Sequence, residues 1–179
     1  ITERKRAEEA LLRSQKHLTQ AQRIGRMGSW WRDVQTNELR VSDESHRLFG
    51  VPVNEPLTFE MVVNCVHPAD RERMKAAIGD AIAGSLPYRV DYRIIGRDGV
   101  ERYCHAEGEV VRDAEGRPTE LVGIIQDITE AEQKQRQVTE LLQREQLARL
   151  EAEKANRVKD NFLATLSHEA LNANGRSTA

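Results

Sequence analysis

Near the end of the chain a histidine stands directly before an acid, His168–Glu169, within "NFLATLSHE". An exposed imidazole can act as a nucleophile or can be an ordinary solvated side chain. What the preceding residues build decides between the two. Other residues capable of chemistry are sparser. Asn64–Cys65 lies two residues before His67–Pro68, and Cys104 adjoins His105. The two cysteines have no Cys-x-x-Cys or Cys/His ligand spacing, so no metal site is expected. Free thiols in a reducing cytosol are the expected state. Neighbouring strand residues point to opposite faces, so Cys104 and His105 do not make a ligand pair. Cys65 reads as a small buried thiol on a short helix. His17 and His46 lie among charged residues and read as solvated.

Composition narrows the function classes. A net charge of −2 over 179 residues argues against nucleic acid or an anionic membrane surface as partner. No run of about 18 apolar residues occurs, so no membrane span is expected in this segment. The N-terminus "ITERKRAEEALLRSQ" is charged throughout and is no signal peptide. A cytoplasmic location follows as the expectation. The first residue is Ile rather than Met, as expected of a piece of something longer.

The elements that must position these residues can be read in order. Leu11, Leu12, Leu18 and Ala21 form a narrow apolar stripe on a charged helix. "MGSWWRDV" and "ELRVS" read as a hairpin. "SDESHRLFG", "TFEMVVNCV" and "HPADRERMKAAIGDAIAG" read as three short helices, with Thr58 capping the second and Pro68 starting the third. "YRVDYRII", "VERYCHAEGEVV" and "TELVGIIQDI" read as three strands separated by Gly-containing turns. From Glu130 no Gly or Pro occurs until Gly175, which predicts one long helix. The order predicts an α+β fold: a five-stranded antiparallel sheet with short helices on one face. An N-terminal helix and a long C-terminal coiled-coil helix flank it.

Counting three and four alternately from Val138 along that helix passes Leu141, Glu145, Ala148, Ala152, Ala155, Lys159, Phe162 and Leu166. This is a weak heptad seam, suited to a parallel homodimer through 130–168 that can change register. It places His168 off the seam and exposed.

Together the stretches "AQRIGRMGSWWRDV", "SDESHRLFGV", "VHPADRERM", "YRVDYRIIGRDGVERY", "RDAEGRPTELVGIIQDIT" and "FLATLSHE" resemble a PAS sensor domain joined to a bacterial two-component sensor histidine kinase. "ITE" recurs at 1–3 and 128–130, as if residues 1–23 were a linker helix closing a preceding PAS repeat. The resemblance then assigns 24–129 to the PAS sensor domain and 130–169 to a coiled-coil signalling helix with the start of the H-box. Residues 170–179 depart from the family and are expected to be a disordered or vector-derived tail. In the first strand the family pattern is Gly-Ser-Trp-acid-Trp-Asp, but this chain reads Gly28-Ser29-Trp30-Trp31-Arg32-Asp33. Trp31 and Arg32 have exchanged sides. One Trp is expected on the core and the other at a contact surface.

The resemblance implies a cleft between sheet and helices that takes haem, flavin, a small metabolite or nothing. The candidate lining is Phe49, Met61, Val62, Met74, Ile78, Tyr92, Ile94, Tyr103, Val122 and Ile124. No cofactor is expected. Asn64–Cys65 matches only the start of the flavin-photosensor helix, and His67 at a helix start reads as structural rather than haem-ligating. Asp127 and Thr129 match the junction that relays a signal to the output helix. His168 matches the phosphoacceptor and Glu169 its acid–base partner, with Asn172 where related kinases position water. The implied partners are a second copy, an ATP-binding kinase domain and a response regulator. No ATP-binding motif occurs in this sequence, so the chain alone is expected not to phosphorylate itself. The alternatives are a ligand-free dimerisation domain and a haem- or flavin-based sensor.

Overall fold

A computed structural model describes residues 2–175. These fall into two units that divide between Glu132 and Gln133. The first opens with α1 (Thr2–Ile24), which buries none of its side chains. Gly25 and Arg26 end it, Arg26 adopting a positive φ of 48°. Then follow β1 (Met27–Asp33), β2 (Leu39–Val41), α2 (Asp43–Phe49), α3 (Phe59–Cys65), a 3-10 turn (Pro68–Asp70) and α4 (Arg71–Ala83). Three longer strands complete it: β3 (Tyr88–Ile95), β4 (Glu101–Arg112) and β5 (Pro118–Asp127). The last helix, α5, spans Thr129–Gly175. The sheet is five-stranded and antiparallel, in the order β2-β1-β5-β4-β3.

Local chemistry accounts for the short helices. The Ser42 hydroxyl accepts from the Ser45 N–H, and Thr58 accepts from the Met61 N–H, each satisfying a donor that a helix start leaves free. Nδ1 of His67 does the same for the Ala69 N–H at 3.2 Å, which is the structural role expected of it. Gly50 closes α2 at φ 66°, where a Cβ would stand 2.8 Å from the Asp98 nitrogen. On β3, residues 88, 90, 92 and 94 are buried and alternate with more exposed neighbours, the period of a strand with one covered face. Val66, Met74, Ile94, Cys104, Leu121 and Ile125 fill the core against that face.

One polar clamp holds α4 to the sheet. Asp70 is 5% exposed and accepts from Arg93 three times: from its backbone N–H at 3.0 Å, Nε at 2.8 Å and Nη2 at 3.1 Å. Arg73 adds an ion pair at 3.1 Å. Those bonds pull the Asp70 pKa down to about 2, against the opposing effect of burial.

The tail differs from expectation. α5 continues through 170–175, because Ala170, Leu171 and Ala173 are good helix formers and no proline intervenes before Gly175. The rest of that tail, 176–179, lies outside the described residues.

Candidate functional site

Between the sheet and α2, α3 and α4 lies a cavity of about 50 Å³. Its wall includes Trp30, Phe49, Phe59, Tyr88, Tyr92 and Met74, with Ser45 and Arg32 as polar members. Trp30 is therefore the inward tryptophan. Its ring meets Tyr88 edge-on, 5.5 Å between centroids at 87°. It sits over Gly108 and Gly123, which face each other across β4 and β5. A Cβ on Gly123 would come within 2.5 Å of the indole, and one on Gly108 within 2.9 Å. Trp31 points to the other face, where its N–H donates to Glu120 at 2.9 Å and Arg40 stacks 4.9 Å above its ring.

Arg32 shares the inward side with Trp30. Its guanidinium lies 3.7 Å over the Phe59 ring. Nε and Nη2 both donate to the Asn37 side-chain oxygen, at 3.2 and 2.5 Å. Nη1 is buried and has no partner. Burial lowers the Arg32 pKa, with the Tyr88 hydroxyl opposing. Burial also raises Tyr88 to about 12 and Tyr92 well above its ordinary value.

Of the candidate lining residues, Phe49, Val62, Met74, Ile78 and Tyr92 surround the cavity. Met61, Tyr103 and Ile124 do not, nor do Ile94 and Val122. Met61 packs against the edge of the core, and Ile94 is buried in the core beyond the cavity. Ile124 and Val122 lie on the opposite side of β5, because Leu121 and Ile125 take the inward positions. Tyr103 alternates outward from buried Cys104 in the same way. Sequence reasoning missed Trp30, Arg32, Leu39, Val41, Ser45, Phe59, Tyr88, Leu121 and Ile125. The alternation in "YRVDYRII" could have found Tyr88, which shares a face with Tyr92. His46 is also placed differently: it is 8% exposed, not solvated, because α2 packs onto β1.

The thiols and imidazoles are arranged apart from the cavity. Neither Cys65 nor Cys104 lines it. Burial raises the pKa of Cys65 and pushes Cys104 up to about 12, keeping both as thiols. His67 spends Nδ1 on its helix cap, and His105 pairs with Asp91 on the outer face. The residues that would hold a haem iron or react with flavin are therefore not at this cavity, and the chain does not fit either group there. No cluster of three or more metal-ligating side chains occurs among the described residues.

At the exit from the sheet, Asp127 and Thr129 are joined. The Asp127 carboxylate accepts from the Thr129 N–H at 2.9 Å and from its hydroxyl at 2.5 Å. The Thr129 oxygen in turn accepts from the Tyr103 N–H at 2.9 Å, and Ile128 N–H donates to the Tyr103 carbonyl at 2.8 Å. The first turn of α5 is thus stitched to β4 as well as to the end of β5.

His168 and Glu169 are exposed on α5. The Asn172 side chain lies one turn on, its Nδ2 3.2 Å from His168 Nδ1. Val138, Leu141, Phe162 and Leu166 are exposed apolar side chains along the expected seam, and Leu142, Leu147, Leu150 and Leu163 lie off it. No helix among the described residues is long and apolar enough to cross a membrane.

Comparison with known proteins agrees with this architecture. The chain is 30% identical over 118 residues to a blue-light-activated histidine kinase of Brucella anthropi, a match covering 66% of this chain and 23% of that protein. It is similar to the crystal structure of a sensory box histidine kinase/response regulator from Burkholderia thailandensis, at TM-score 0.61 and 25% identity. That likeness covers 74% of this chain and 98% of the other. The N-terminal domain of a diguanylate cyclase with PAS/PAC sensor from Marinobacter aquaeolei is also 25% identical, at TM-score 0.54, covering 59% of this chain and 98% of that one. Residues 38–125, from just before β2 through most of β5, match the PAS fold family, and this domain has the PAS fold.

Proposed function

We propose that this chain is the sensing and coupling segment of a sensor histidine kinase. Occupancy of the cavity shifts β4 and β5, the Asp127–Thr129 junction passes the shift to α5, and α5 pairs with a second copy to present His168. The junction carries the reading: one hydroxyl bonds both the end of β5 and a central strand's N–H, so strand movement must load the first turn of α5. His168 is the phosphoacceptor and Glu169 orients its ring and takes its proton. An ATP-binding domain supplies the phosphoryl group, and a response regulator receives it. The exposed seam from Val138 to Leu166 supports a parallel homodimer, since a long polar helix is marginal alone. The setting is cytoplasmic.

The test joins residues 1–169 to the remaining dimerisation helix and ATP-binding domain of a histidine kinase and follows label from γ-labelled ATP. Label on the parent fusion and none on His168→Gln supports the phosphoacceptor role. Thr129→Val should change the labelling rate several-fold while leaving the sheet folded. Equal rates in the parent and Thr129→Val would sink the coupling route. The cyclase relative favours one second reading, a sensor module that drives a different output. A fusion that regulates a cyclase domain but labels no histidine would establish it.

A further inference from the structure

In its first strand this chain departs from the PAS pattern it resembles at positions 31 and 32, where Trp and Arg stand in place of an acid and an aromatic ring. Arg32 puts a guanidinium into the wall of an otherwise apolar cavity. Its only hydrogen-bond acceptor is the neutral side chain of Asn37. Among the described residues no carboxylate stands within 4.0 Å of it to form an ion pair, and no Asp or Glu lines the cavity. Nη1 is buried and unpartnered. Arg32 as a whole is half-buried, but this one donor is shut off from solvent without an acceptor, which is costly. An anion or a strong acceptor in the cavity would answer it. Of the other polar side chains in the wall, Ser45 donates its hydroxyl to the Ser29 carbonyl at 3.0 Å, and burial holds the Tyr88 and Tyr92 hydroxyls protonated.

Size limits the guest. A cavity of about 50 Å³ is several water spheres, well below the ~150 Å³ that admits benzene. A flat ring or a fused cofactor does not enter without rearrangement. Acetate, a carboxylate carrying a single methyl group, does, with its head on Arg32 and its methyl against the apolar wall.

We infer that the cavity recognises a short-chain monocarboxylate through Arg32. This rests on the reading of the cavity as the sensory site, and it names the ligand class. A charge-assisted hydrogen bond in a partly desolvated site makes the acid the preferred guest over a neutral or cationic molecule of the same shape.

The experiment titrates the full chain with sodium acetate, acetamide and acetamidinium, three guests of one shape, at constant ionic strength. Calorimetry on the unaltered chain is the first readout. The second is Trp30 emission in a Trp31→Phe background, where Trp30 is the only indole. The expected result is saturable acetate binding, at least roughly tenfold weaker acetamide binding and none by acetamidinium. Arg32→Gln should weaken acetate at least roughly tenfold, and Arg32→Lys should retain part of the affinity. Circular dichroism confirms that each variant is folded. If acetamide matches acetate, or Arg32→Gln binds acetate unchanged, carboxylate recognition is wrong while a sensory cavity stands. If none of the three binds, this inference fails too. The coupling reading is then judged separately by Thr129→Val, which needs no ligand.

Discussion

Replacing Asp70 by Asn tests how the cavity wall is held. Asp70 ties α4, which carries Met74 and Ile78, to β3, which carries Tyr92. The carboxylate accepts all three Arg93 donors and faces Arg73. Asn keeps the shape and one acceptor, but its amide turns donors toward a guanidinium. The pKa offers an independent magnitude. A drop from 3.8 to about 2 corresponds to about 2 kcal/mol of stabilisation, or about 1–2 after allowing for solvent around Arg73. Because the folded value lies below the unfolded one, this stability is complete above about pH 4 and is lost as pH falls toward 2. The assay is urea unfolding followed by tryptophan emission, from pH 7 down to 2. With a slope of about 1.5 kcal/mol per molar urea, Asp70→Asn should lower the midpoint by about 1 M at pH 7. The gap between variant and parent should narrow from about pH 4 and be nearly closed at about pH 2, where the folded parent protonates the same group. Equal midpoints at pH 7, or a gap that stays constant down to pH 2, would refute the clamp.

Three further outcomes follow from the same geometry. Gly123→Ala should cost about 2 kcal/mol or more and shift Trp30 emission, because the new Cβ meets both the Glu107 carbonyl at 2.2 Å and the indole; a variant that melts with the parent would mean that the glycine pair is no seat for the ring. A thiol reagent should modify Cys65 slowly in the native protein and Cys104 only on unfolding, since Cys104 is fully buried with its pKa pushed up to about 12; equal native rates would contradict that burial. Stability should fall between about pH 10 and 12, because Tyr88 ionises near 10 unfolded and only at about 12 folded; absorbance of tyrosinate alongside circular dichroism would show whether ionisation and unfolding coincide.

Features written over three or four neighbouring residues were legible in the sequence. The caps at Ser42, Thr58 and Gly50 need only local geometry, so the short helices fall where their residue types put them. Strand and helix periods were enough for the five-stranded order, and "NFLATLSHE" marks the position of a chemically capable histidine on its helix whatever that helix meets. The cavity was only half legible. Leu121, Val122, Ile124 and Ile125 are apolar on both sides of β5, so alternation cannot say which pair faces inward. That choice depends on β5 pairing with β1 and β4, which brings Gly123 opposite Gly108 under Trp30. Arg32 likewise read as a misplaced polar residue on a strand. Only packing put it over Phe59 with one nitrogen unanswered. Asp70 and Arg93 are 23 residues apart, and their bond exists only because α4 lies across β3. The sequence alone determined the elements and the exposed imidazole, because those follow from local propensity and period. Tertiary structure decided which faces turn inward and which charges meet, because both depend on partners distant in the chain.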